Sequence, residues 1–400
     1  MADFIIRAVR NIEGVSTDVA VRDGRIVALT SAAKSVVAAA DIDGRGYVLL
    51  PPLVESHVHL DKTLWGEPWR PNSAGPTLKD YIGNERRILA TVATPIRKRA
   101  GALLEHCIAQ GSLHFRSHID VAPDIGVKHV QAMLELRAAY GDVVDMQFVA
   151  FPQTGLLTAP GTAELIEESL KMGVETVGGI DPQGIDGDVL GQLRVVFGLA
   201  ERYDRGVDIH LHDRGEIGIA QVEQIAEFTA ASGLERRVMI SHAYCLGMAT
   251  PARLESVGRR LADLGISLMT SAPADTTVPP VAALRAMGVN ICCGSDGIRD
   301  AWSPMGNGDM LERAMLLAYR FDWGKDEELR QALNAATSAG AKALGLEGYG
   351  LEVGRPADFV LVKAENVADA VVRRPRERLI FKSGSVIARE GVFLDSRLSA

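Results

Sequence analysis

The sequence predicts an α/β protein with two parts, a (β/α)8 TIM barrel and a small β-sandwich domain formed by both termini. Three observations support this prediction: strand-rich segments at both ends of the chain, apolar strands alternating with amphipathic helices between them, and polar residues at the strand ends. The chain has 400 residues, of which 47% are hydrophobic and 24% charged, so it can bury a large core. We expect the β-sandwich domain at residues 1–52 and 345–400, and the barrel at residues 53–344.

The two ends of the chain carry the same hairpin pattern. Residues 19–29 alternate between apolar and polar on both sides of Asp23-Gly24, and residues 379–388 do so around Ser383-Gly384. Pairs of this kind favour the tight turn of a two-residue β-hairpin, because they tolerate a positive φ. Two strand-rich ends around a different middle predict that the ends meet in one small domain.

The middle of the chain contains eight apolar segments that we interpret as parallel strands. They lie at residues 57–59, 114–120, 147–153, 177–181, 207–212, 238–242, 267–271 and 290–296. Amphipathic runs between them, such as residues 160–172, 189–203 and 217–232, predict the helices. Most of these strands end in His, Asp or Gln, and the C-terminal ends of barrel strands are where active sites are built.

Composition excludes several classes of function. Forty-three basic and fifty-one acidic residues leave a formal charge of −8. A net negative charge of this size argues against binding to nucleic acid or to an anionic membrane. The first residues lack a long apolar segment, and no run of about 18 apolar residues occurs, so we expect neither secretion nor a membrane span. The four cysteines form no CxxC pair, which is typical of reduced thiols in a cytoplasmic protein.

Paired histidines are the first sign of a metal site. His57 and His59 lie two apart on the first barrel strand, so both side chains point the same way and can face one ion. His210 and His212 repeat this spacing on the fifth strand, where one of them is a candidate third ligand. An HxH pair alone is weak evidence, but its place at a strand end strengthens it.

Three further residues extend this predicted rim. Asp213 lies just beyond the fifth strand as a candidate acid or base, His242 ends the sixth strand, and Asp296 ends the eighth. A lone histidine at a strand end is more often a polar residue satisfied by its neighbours. Five such positions at one end of one barrel predict a metal site with a nearby proton donor or acceptor.

This constellation resembles the amidohydrolase superfamily, a metal-bearing barrel with a β-sandwich built from both termini. Along most of its length the chain is similar to the cytosine deaminase-like branch, and within it to enzymes that act on s-triazines. The tracts that carry the resemblance are PPLVESHVHLDKT, AFPQTGLL, HLHDRGEIG, SHAYCLG, SDGIRDAWSPMGNGDM and LEVGRPADFVLV.

The resemblance implies specific roles for the rim residues. His57, His59, His210 and Asp296 would be metal ligands, and His242 would contact the metal-bound water. Asp296 would also take the water's proton, as a catalytic residue beside its role as ligand. Binuclear branches of the superfamily carry a lysine on the fourth strand, and none occurs at residues 176–182, so we expect one divalent ion. Zinc and ferrous iron, Fe(II), both suit three imidazoles and a carboxylate.

Two departures from the cytosine deaminase pattern bear on the substrate. Asp213 stands where those enzymes have glutamate, so it can shuttle a proton to a ring nitrogen from a shorter arm. Gly297 stands where they have a second aspartate that reads the pyrimidine, which makes cytosine itself a doubtful substrate. Gln153 does match the amide that recognises the ring, since an amide both donates and accepts.

Other polar and aromatic residues near the rim have open roles. Lys62 contacts substrate or forms a salt bridge at the rim, and Trp302 is either an aromatic wall for a planar ring or core packing. The roles of four further residues at the strand ends stay undetermined: His118, Asp120, Asp181 and His212.

The leading hypothesis is a metal-dependent aminohydrolase, or deaminase. It would hydrolyse an exocyclic C–N bond of a small-molecule N-heterocyclic substrate, an aminopyrimidine or aminotriazine, with metal-activated water. One alternative is a cyclic amide hydrolase that opens a hydantoin- or lactam-like ring, against which the missing lysine argues. Another is a non-catalytic barrel scaffold, which should have lost its ligands. We expect no nucleic-acid or membrane partner, and the resemblance leaves a homo-oligomer open.

Overall fold

The strands form two separate sheets in a computed structural model that describes residues 1–31 and 37–398. The first five strands are β1 (Ala2–Arg10), β2 (Ser16–Arg22), β3 (Arg25–Thr30), β4 (Ala38–Asp43) and β5 (Tyr47–Leu50). The next eight are β6 (Leu53–Val58), β7 (Ser112–Asp120), β8 (Asp145–Phe151), β9 (Thr176–Ile180), β10 (Gly206–Leu211), β11 (Val238–His242), β12 (Ser267–Thr270) and β13 (Ile291–Cys293). The last four are β14 (Phe359–Lys363), β15 (Arg378–Lys382), β16 (Ser385–Arg389) and β17 (Val392–Phe393).

Helices follow most of the strands from β6 onward. They are α1 (Leu78–Leu89), α2 (Ile96–Ala109), α3 (Lys128–Tyr140), α4 (Thr162–Lys171), α5 (Val189–Tyr203), α6 (Gly215–Ala231), α7 (Pro251–Leu264), α8 (Val281–Ala286), α9 (Met310–Arg320), α10 (Asp326–Ala335), α11 (Ser338–Ala343) and α12 (Val367–Arg373). The amphipathic runs singled out in the sequence correspond to α4, α5 and α6. Within the described residues, no helix combines the length and apolar character needed to cross a membrane.

Strands β6 to β13 pair in chain order, each parallel to the next, and form the predicted barrel. Backbone contacts bring its first and last strands together. Val58 and Asp296 form a parallel bridge, the Asp296 N–H donates to the carbonyl of His57 at 2.9 Å, and the His59 N–H donates to that of Asp296 at 3.3 Å. Three of the predicted metal ligands, His57, His59 and Asp296, are therefore joined by the backbone at this seam.

The eighth barrel strand is shorter than the sequence predicted. Its pairing ends where Cys293 lies opposite Thr270, although the apolar run suggested a strand to residue 296. Asp296 has a φ of 63°, in the left-handed region, and such a residue cannot continue a strand. The chain therefore turns at Asp296 and directs its carboxylate over the barrel mouth.

The alternation along β10 explains how polar side chains enter the barrel interior. Val207, Ile209 and Leu211 are fully buried in the apolar layer between strands and helices. The residues between them, Asp208 and His210, point to the other side of the strand, as the two-residue period of a strand requires. A buried strand with this pattern lines the barrel with carboxylate and imidazole groups.

The strands from the two ends of the chain form one mixed sheet, in the order β17-β16-β15-β14-β5-β1-β2-β3, with β4 pairing parallel to β1. The antiparallel pairing of β5 with β14 joins the N-terminal part to the C-terminal part. Both predicted hairpins are confirmed: φ is 49° at Asp23 and 69° at Gly24, and 47° at Ser383 and 77° at Gly384. Residues 32–36 and 399–400 of the predicted small domain lie outside the described residues.

Candidate metal centre and active site

The predicted rim residues converge at the C-terminal ends of the barrel strands. One ring nitrogen or carboxylate oxygen from each of His57, His210, His242 and Asp296 lies within 4.8 Å of the other three. His59 joins them, since its Nε2 is 3.3 Å from Asp296 Oδ1 and 3.4 Å from His210 Nε2. Imidazoles with one carboxylate are a donor set for a divalent transition metal. The chain brings together one donor more than a four-coordinate ion takes.

The backbone is strained at two members of this cluster. His242 has a φ of 73° and Asp296 a φ of 63°, a region that residues with a side chain rarely adopt. Such strain persists only where surrounding structure imposes it, and it concentrates at functional sites. At Asp296 the imposing contacts are the two backbone hydrogen bonds at the barrel seam.

Side chains behind the cluster fix the orientation of His57. Its Nδ1 lies 2.9 Å from the hydroxyl of Ser241, which donates to Asp208 Oδ1 at 2.8 Å. Arg116 donates to the other oxygen of Asp208 at 3.3 Å. Because the serine proton goes to Asp208, the serine oxygen accepts the proton of His57 Nδ1. This arrangement fixes the ring of His57 so that its Nε2 is directed at the cluster.

A second contact of the same kind orients His59. Its Nδ1 lies 3.2 Å from the carbonyl oxygen of His118, which leaves Nε2 free to face Asp296. The His118 ring packs against His57 with 3.8 Å between ring centroids, and its Nε2 is 3.6 Å from Asp208 Oδ2. Ligand atoms of His57, His118 and Asp208 also lie within 4.8 Å of one another. We interpret this second group as support for His57, because Ser241 and Arg116 already bind the Asp208 carboxylate.

The electrostatics of the cluster favour the protonation states that a metal requires. Burial lowers the pKa of His59 to about 4, and the Lys62 charge adds to this effect. Burial together with neighbouring histidines holds the pKa of His210 and of His242 well below its usual range. Neutral imidazoles are the forms that bind metal.

Three nitrogens of the cluster histidines lack a partner. The Nε2 atoms of His57 and His242 and the Nδ1 atom of His210 are buried, and no group within the described residues forms a hydrogen bond with any of them. Buried polar atoms are nearly always paired, and an unpaired one costs free energy. A cation or a water molecule at the centre of the cluster satisfies this need, so the residues present fit a bound ion.

A small cavity of about 100 Å³ opens beside the cluster. Its lining includes the three residues predicted to bind substrate, Lys62, Gln153 and Trp302. The rest of the wall consists of His59, Phe151, Ile180, His210, His212, Asp296, Gly297, Asp300 and Ser303. A larger cavity of about 640 Å³, lined by Pro52 and Asp145 among others, lies at the opposite, N-terminal ends of the strands. Because catalysis in such barrels occurs at the C-terminal ends, we assign the site to the smaller cavity.

Comparison with known proteins decides the family. Residues 41–388 match the amidohydrolase family. The chain belongs to this family. N-isopropylammelide isopropyl amidohydrolase of Pseudomonas sp. (strain ADP) is 31% identical over 407 aligned residues, which cover 98% of each protein. The family prediction is confirmed, and with it the prediction of a hydrolase that acts on C–N bonds.

Two solved structures show the same amidohydrolase architecture. N-isopropylammelide isopropylaminohydrolase from Burkholderia multivorans ATCC 17616 is 41% identical, with a TM-score of 0.93, over 98% of this chain and 100% of that one. 5-Methylcytosine deaminase from Klebsiella pneumoniae, liganded with 5-fluorocytosine, is 31% identical, with a TM-score of 0.86, over 96% of this chain and 97% of that one. The predicted barrel with a separate sheet from both termini is confirmed.

A buried glutamate links the three predicted substrate residues of this amidohydrolase. Glu85 of α1 accepts hydrogen bonds from the Gln153 amide at 2.6 Å and from the Trp302 indole at 2.5 Å, and it lies 3.4 Å from Lys62 Nζ. Lys62 also donates to the amide oxygen of Gln153. Burial alone would lower the pKa of Lys62, but the charges of Glu85 and Asp120 outweigh it and raise this pKa. The sequence analysis missed Glu85, because a glutamate in a helix carries no signal that it is buried.

The structure does not bring the Asp213 carboxylate into the cavity. Its Oδ2 accepts from the Gly184 N–H at 3.0 Å and from Gln221 at 2.9 Å. The neighbouring His212 lines the cavity instead, with its Nδ1 2.7 Å from Asp181 Oδ2. Burial alone would lower the pKa of His212, but Asp181 outweighs it and raises this pKa.

Two of the positions with open roles now have assigned contacts. Asp181 orients His212, whose ring lies nearly parallel to that of His242 at a centroid distance of 4.5 Å. Asp120 accepts from Arg86 at 2.5 Å, at the rim of the barrel. Asp181 therefore belongs to the site, and Asp120 to the salt bridges around it.

Proposed function

We propose that this chain is a metal-dependent aminohydrolase that removes an exocyclic amino or alkylamino group from a nitrogen heterocycle. The observation that carries the proposal is the cluster of buried imidazoles around Asp296, beside a cavity lined by Gln153, Lys62 and Trp302. The relatives described above are named for their action on N-isopropylammelide and on 5-methylcytosine, both of which are nitrogen heterocycles. In this proposal the barrel domain keeps its predicted bounds, residues 53–344.

One divalent ion, zinc or ferrous iron, would be held by His57, His59, His210 and Asp296. A bound ion of this kind supplies a nucleophile at neutral pH by lowering the pKa of coordinated water. His57 and His59 support this assignment, because each has its Nδ1 engaged and its Nε2 directed at the cluster. The other two histidines are held less firmly: the hydroxyl of Tyr244, at 3.5 Å from His242 Nδ1, is at the limit of a hydrogen bond, and the Nδ1 of His210 has no partner among the described residues.

Asp296 transfers the protons of the attacking water, and His242 orients this water molecule. His242 Nε2 lies 4.0 Å from Asp296 Oδ2, so a water molecule between them can contact both atoms. Asp296 accepts the proton that water loses on attack and returns it to the departing amine, while His242 orients the water and stabilises charge on the tetrahedral carbon.

The proton for the ring nitrogen is a separate requirement. His212 fits it, because Asp181 holds Nδ1 and thereby leaves Nε2 as the atom that faces the cavity. Asp213 is the second candidate, and it must exchange its contacts with Gly184 and Gln221 to take part. We therefore assign the ring proton to His212, positioned by Asp181.

The size of the cavity limits the substrate. At about 100 Å³ it is much smaller than the roughly 300–1,000 Å³ of pockets that hold drug-sized ligands. It therefore suits a single six-membered ring with a small substituent rather than a nucleoside. Aminopyrimidines and aminotriazines meet this limit.

A substrate screen tests the proposal. The zinc-loaded and the Fe(II)-loaded protein are incubated with aminopyrimidines, aminotriazines, pterins and cyclic ureas, and release of ammonia or alkylamine is measured. The His242→Asn variant is the matched control, because it removes the residue that orients the water. We expect amine release from a single-ring azine. Opening of a cyclic urea without amine release would favour a cyclic amide hydrolase, and no turnover with any compound would contradict the proposal.

A further inference from the structure

The carboxylate of Asp300 lies against the backbone of Gly297, inside the cavity wall. A Cβ atom placed on Gly297 would lie 2.2 Å from Asp300 Oδ2 and 2.8 Å from its Cγ, far too close for any real contact. The φ of Gly297 is not in the positive range that demands glycine. Glycine is therefore required here for space, and that space is filled by a carboxylate.

The turn that follows holds one oxygen of Asp300 in place. The backbone N–H groups of Trp302 and Ser303 both donate to Oδ1 at 2.8 Å, and the Asp300 N–H donates to the Ser303 carbonyl at 3.0 Å. Trp302 is itself anchored through its indole to Glu85. The position of the Asp300 side chain is therefore set before any ligand arrives.

The other oxygen of Asp300 is free to bind a ligand. Asp300 is only 8% exposed and lines the same cavity as Gln153 and Asp296. Among the residues that the structure describes, none donates a hydrogen bond to Oδ2. The turn engages Oδ1 and leaves Oδ2 as an acceptor without a protein donor in the cavity wall, available to an N–H group of a ligand.

We propose that Asp300 is a specificity-determining residue that accepts an N–H from the substrate ring at the edge next to Gly297. This inference rests on the proposed function and deepens it. The sequence indicated that glycine at position 297 replaces the aspartate with which cytosine deaminases recognise the ring of the substrate. In the folded chain a carboxylate reaches the same place from three residues further on.

The proposal selects a class of substrate. An acceptor at this edge favours azines whose ring carries an N–H, such as oxo-substituted pyrimidines and triazines in their lactam form. It disfavours rings that present a bare nitrogen or an N-alkyl group there. Burial raises the pKa of Asp300 to about 7, so the accepting form predominates above neutral pH.

Binding of uracil and 1,3-dimethyluracil to the zinc-loaded protein at pH 8 tests this inference. Only uracil has ring N–H groups, and we expect the unaltered protein to bind it about tenfold to a hundredfold more tightly, the range for one buried hydrogen bond. Asp300→Asn keeps an oxygen for the turn but puts an NH2 group where Oδ2 was. It should weaken uracil binding by a similar factor and leave the dimethyl compound unaffected.

A second variant removes the contact without changing the carboxylate. Gly297→Ala should displace Asp300 and weaken uracil binding, whereas Gly198→Ala, on α5 with nothing within 4 Å of the added Cβ, should not. Asp275→Asn, at an exposed aspartate, controls for the loss of one charge. Zinc content and the thermal midpoint of each variant check that the metal site and fold persist.

Two results would overturn the inference. In the first, the unaltered protein binds uracil and 1,3-dimethyluracil with equal affinity, or binds neither measurably. In the second, the Asp300→Asn variant is folded and binds zinc, and its affinity for uracil equals that of the unaltered protein. Either result leaves the proposed hydrolysis intact if the screen finds amine release. Conversely, uracil binding that depends on Asp300, without turnover of any azine, supports this inference and contradicts the proposed function.

Discussion

The imidazole of His57 and the hydroxyl of Ser241 lie 2.9 Å apart, although 184 residues separate them in the chain. Parallel pairing of β10 with β11 places Ser241 opposite His210 and within hydrogen-bond distance of Asp208, so the serine connects a buried carboxylate to a predicted metal ligand. Contacts of this kind set the tautomer and direction of a ligating histidine. They make the metal affinity depend on a residue that does not bind the metal.

We expect Ser241→Ala to weaken zinc binding by about tenfold to a hundredfold, because His57 then loses the group that orients it. Competition with a chromogenic chelator measures this affinity. Ser267→Ala is the control, since that serine is also buried on a barrel strand but bonds to Asn290 instead. Equal zinc affinities of the two variants would contradict the role of Ser241.

Elemental analysis of the purified protein should find about one divalent ion per chain. The reason is that β9 carries no lysine to bridge a second ion, and Ser241 and Arg116 already bind Asp208. Replacing His57 or His210 by alanine should abolish binding, because each removes a buried ligand. Two tightly bound ions per chain in the active protein would show that the mononuclear assignment is wrong.

His242→Asn should lower kcat by about a hundredfold to ten-thousandfold and retain the metal, because His242 acts on the attacking water. Activity and zinc content are measured on the same sample. His242 lies within 4.8 Å of three other donors, so its distance from them would also allow it to be a ligand. A variant that arrives without metal would make His242 a ligand and leave His59 as the residue that orients water.

His212→Asn should lower kcat by at least about a hundredfold, whereas Asp213→Asn should change it by less than about tenfold. The difference follows from the cavity wall, which includes His212, while the Asp213 carboxylate is engaged by Gly184 and Gln221. Initial rates with the best substrate of the screen compare the two variants. A larger loss of kcat in Asp213→Asn than in His212→Asn would show that Asp213 is the proton donor.

The stability of the chain should depend on pH through Asp300. An aspartate titrates near pH 4 in an unfolded chain, whereas burial raises the pKa of Asp300 to about 7 in the folded one. Below pH 4 both states are protonated. As the pH rises from 4 to 7, the unfolded state loses its proton first, so the folded state becomes relatively less stable.

Asp300→Asn removes this titration. Relative to the unaltered protein, the variant should therefore gain about 2 kcal/mol of stability between pH 5 and pH 8. Thermal or denaturant unfolding of both metal-loaded proteins at the two pH values measures the gain. Lys62 and Glu85 also face this region, and they are present in both proteins. Parallel stability profiles would show that the Asp300 carboxyl titrates normally.

The sequence by itself determined the architecture and the residues that meet at the barrel mouth. Hydrophobic period distinguishes strands from helices, and parallel strands in a barrel all end at the same face. A polar residue at a strand end is therefore placed by the fold class alone. This is why His57, His59, His210, His242 and Asp296 were predicted to converge, and they do.

Only the tertiary structure decided which groups support that site and which way they point. Glu85 comes from a helix, and Asp300 reaches the space beside Gly297 through a loop. The direction of Asp213 depends on a turn after β10 that directs it to Gly184 instead of the cavity. Contacts of this kind depend on the path of loops and on packing between segments far apart in the chain, and no periodic pattern in the sequence encodes either.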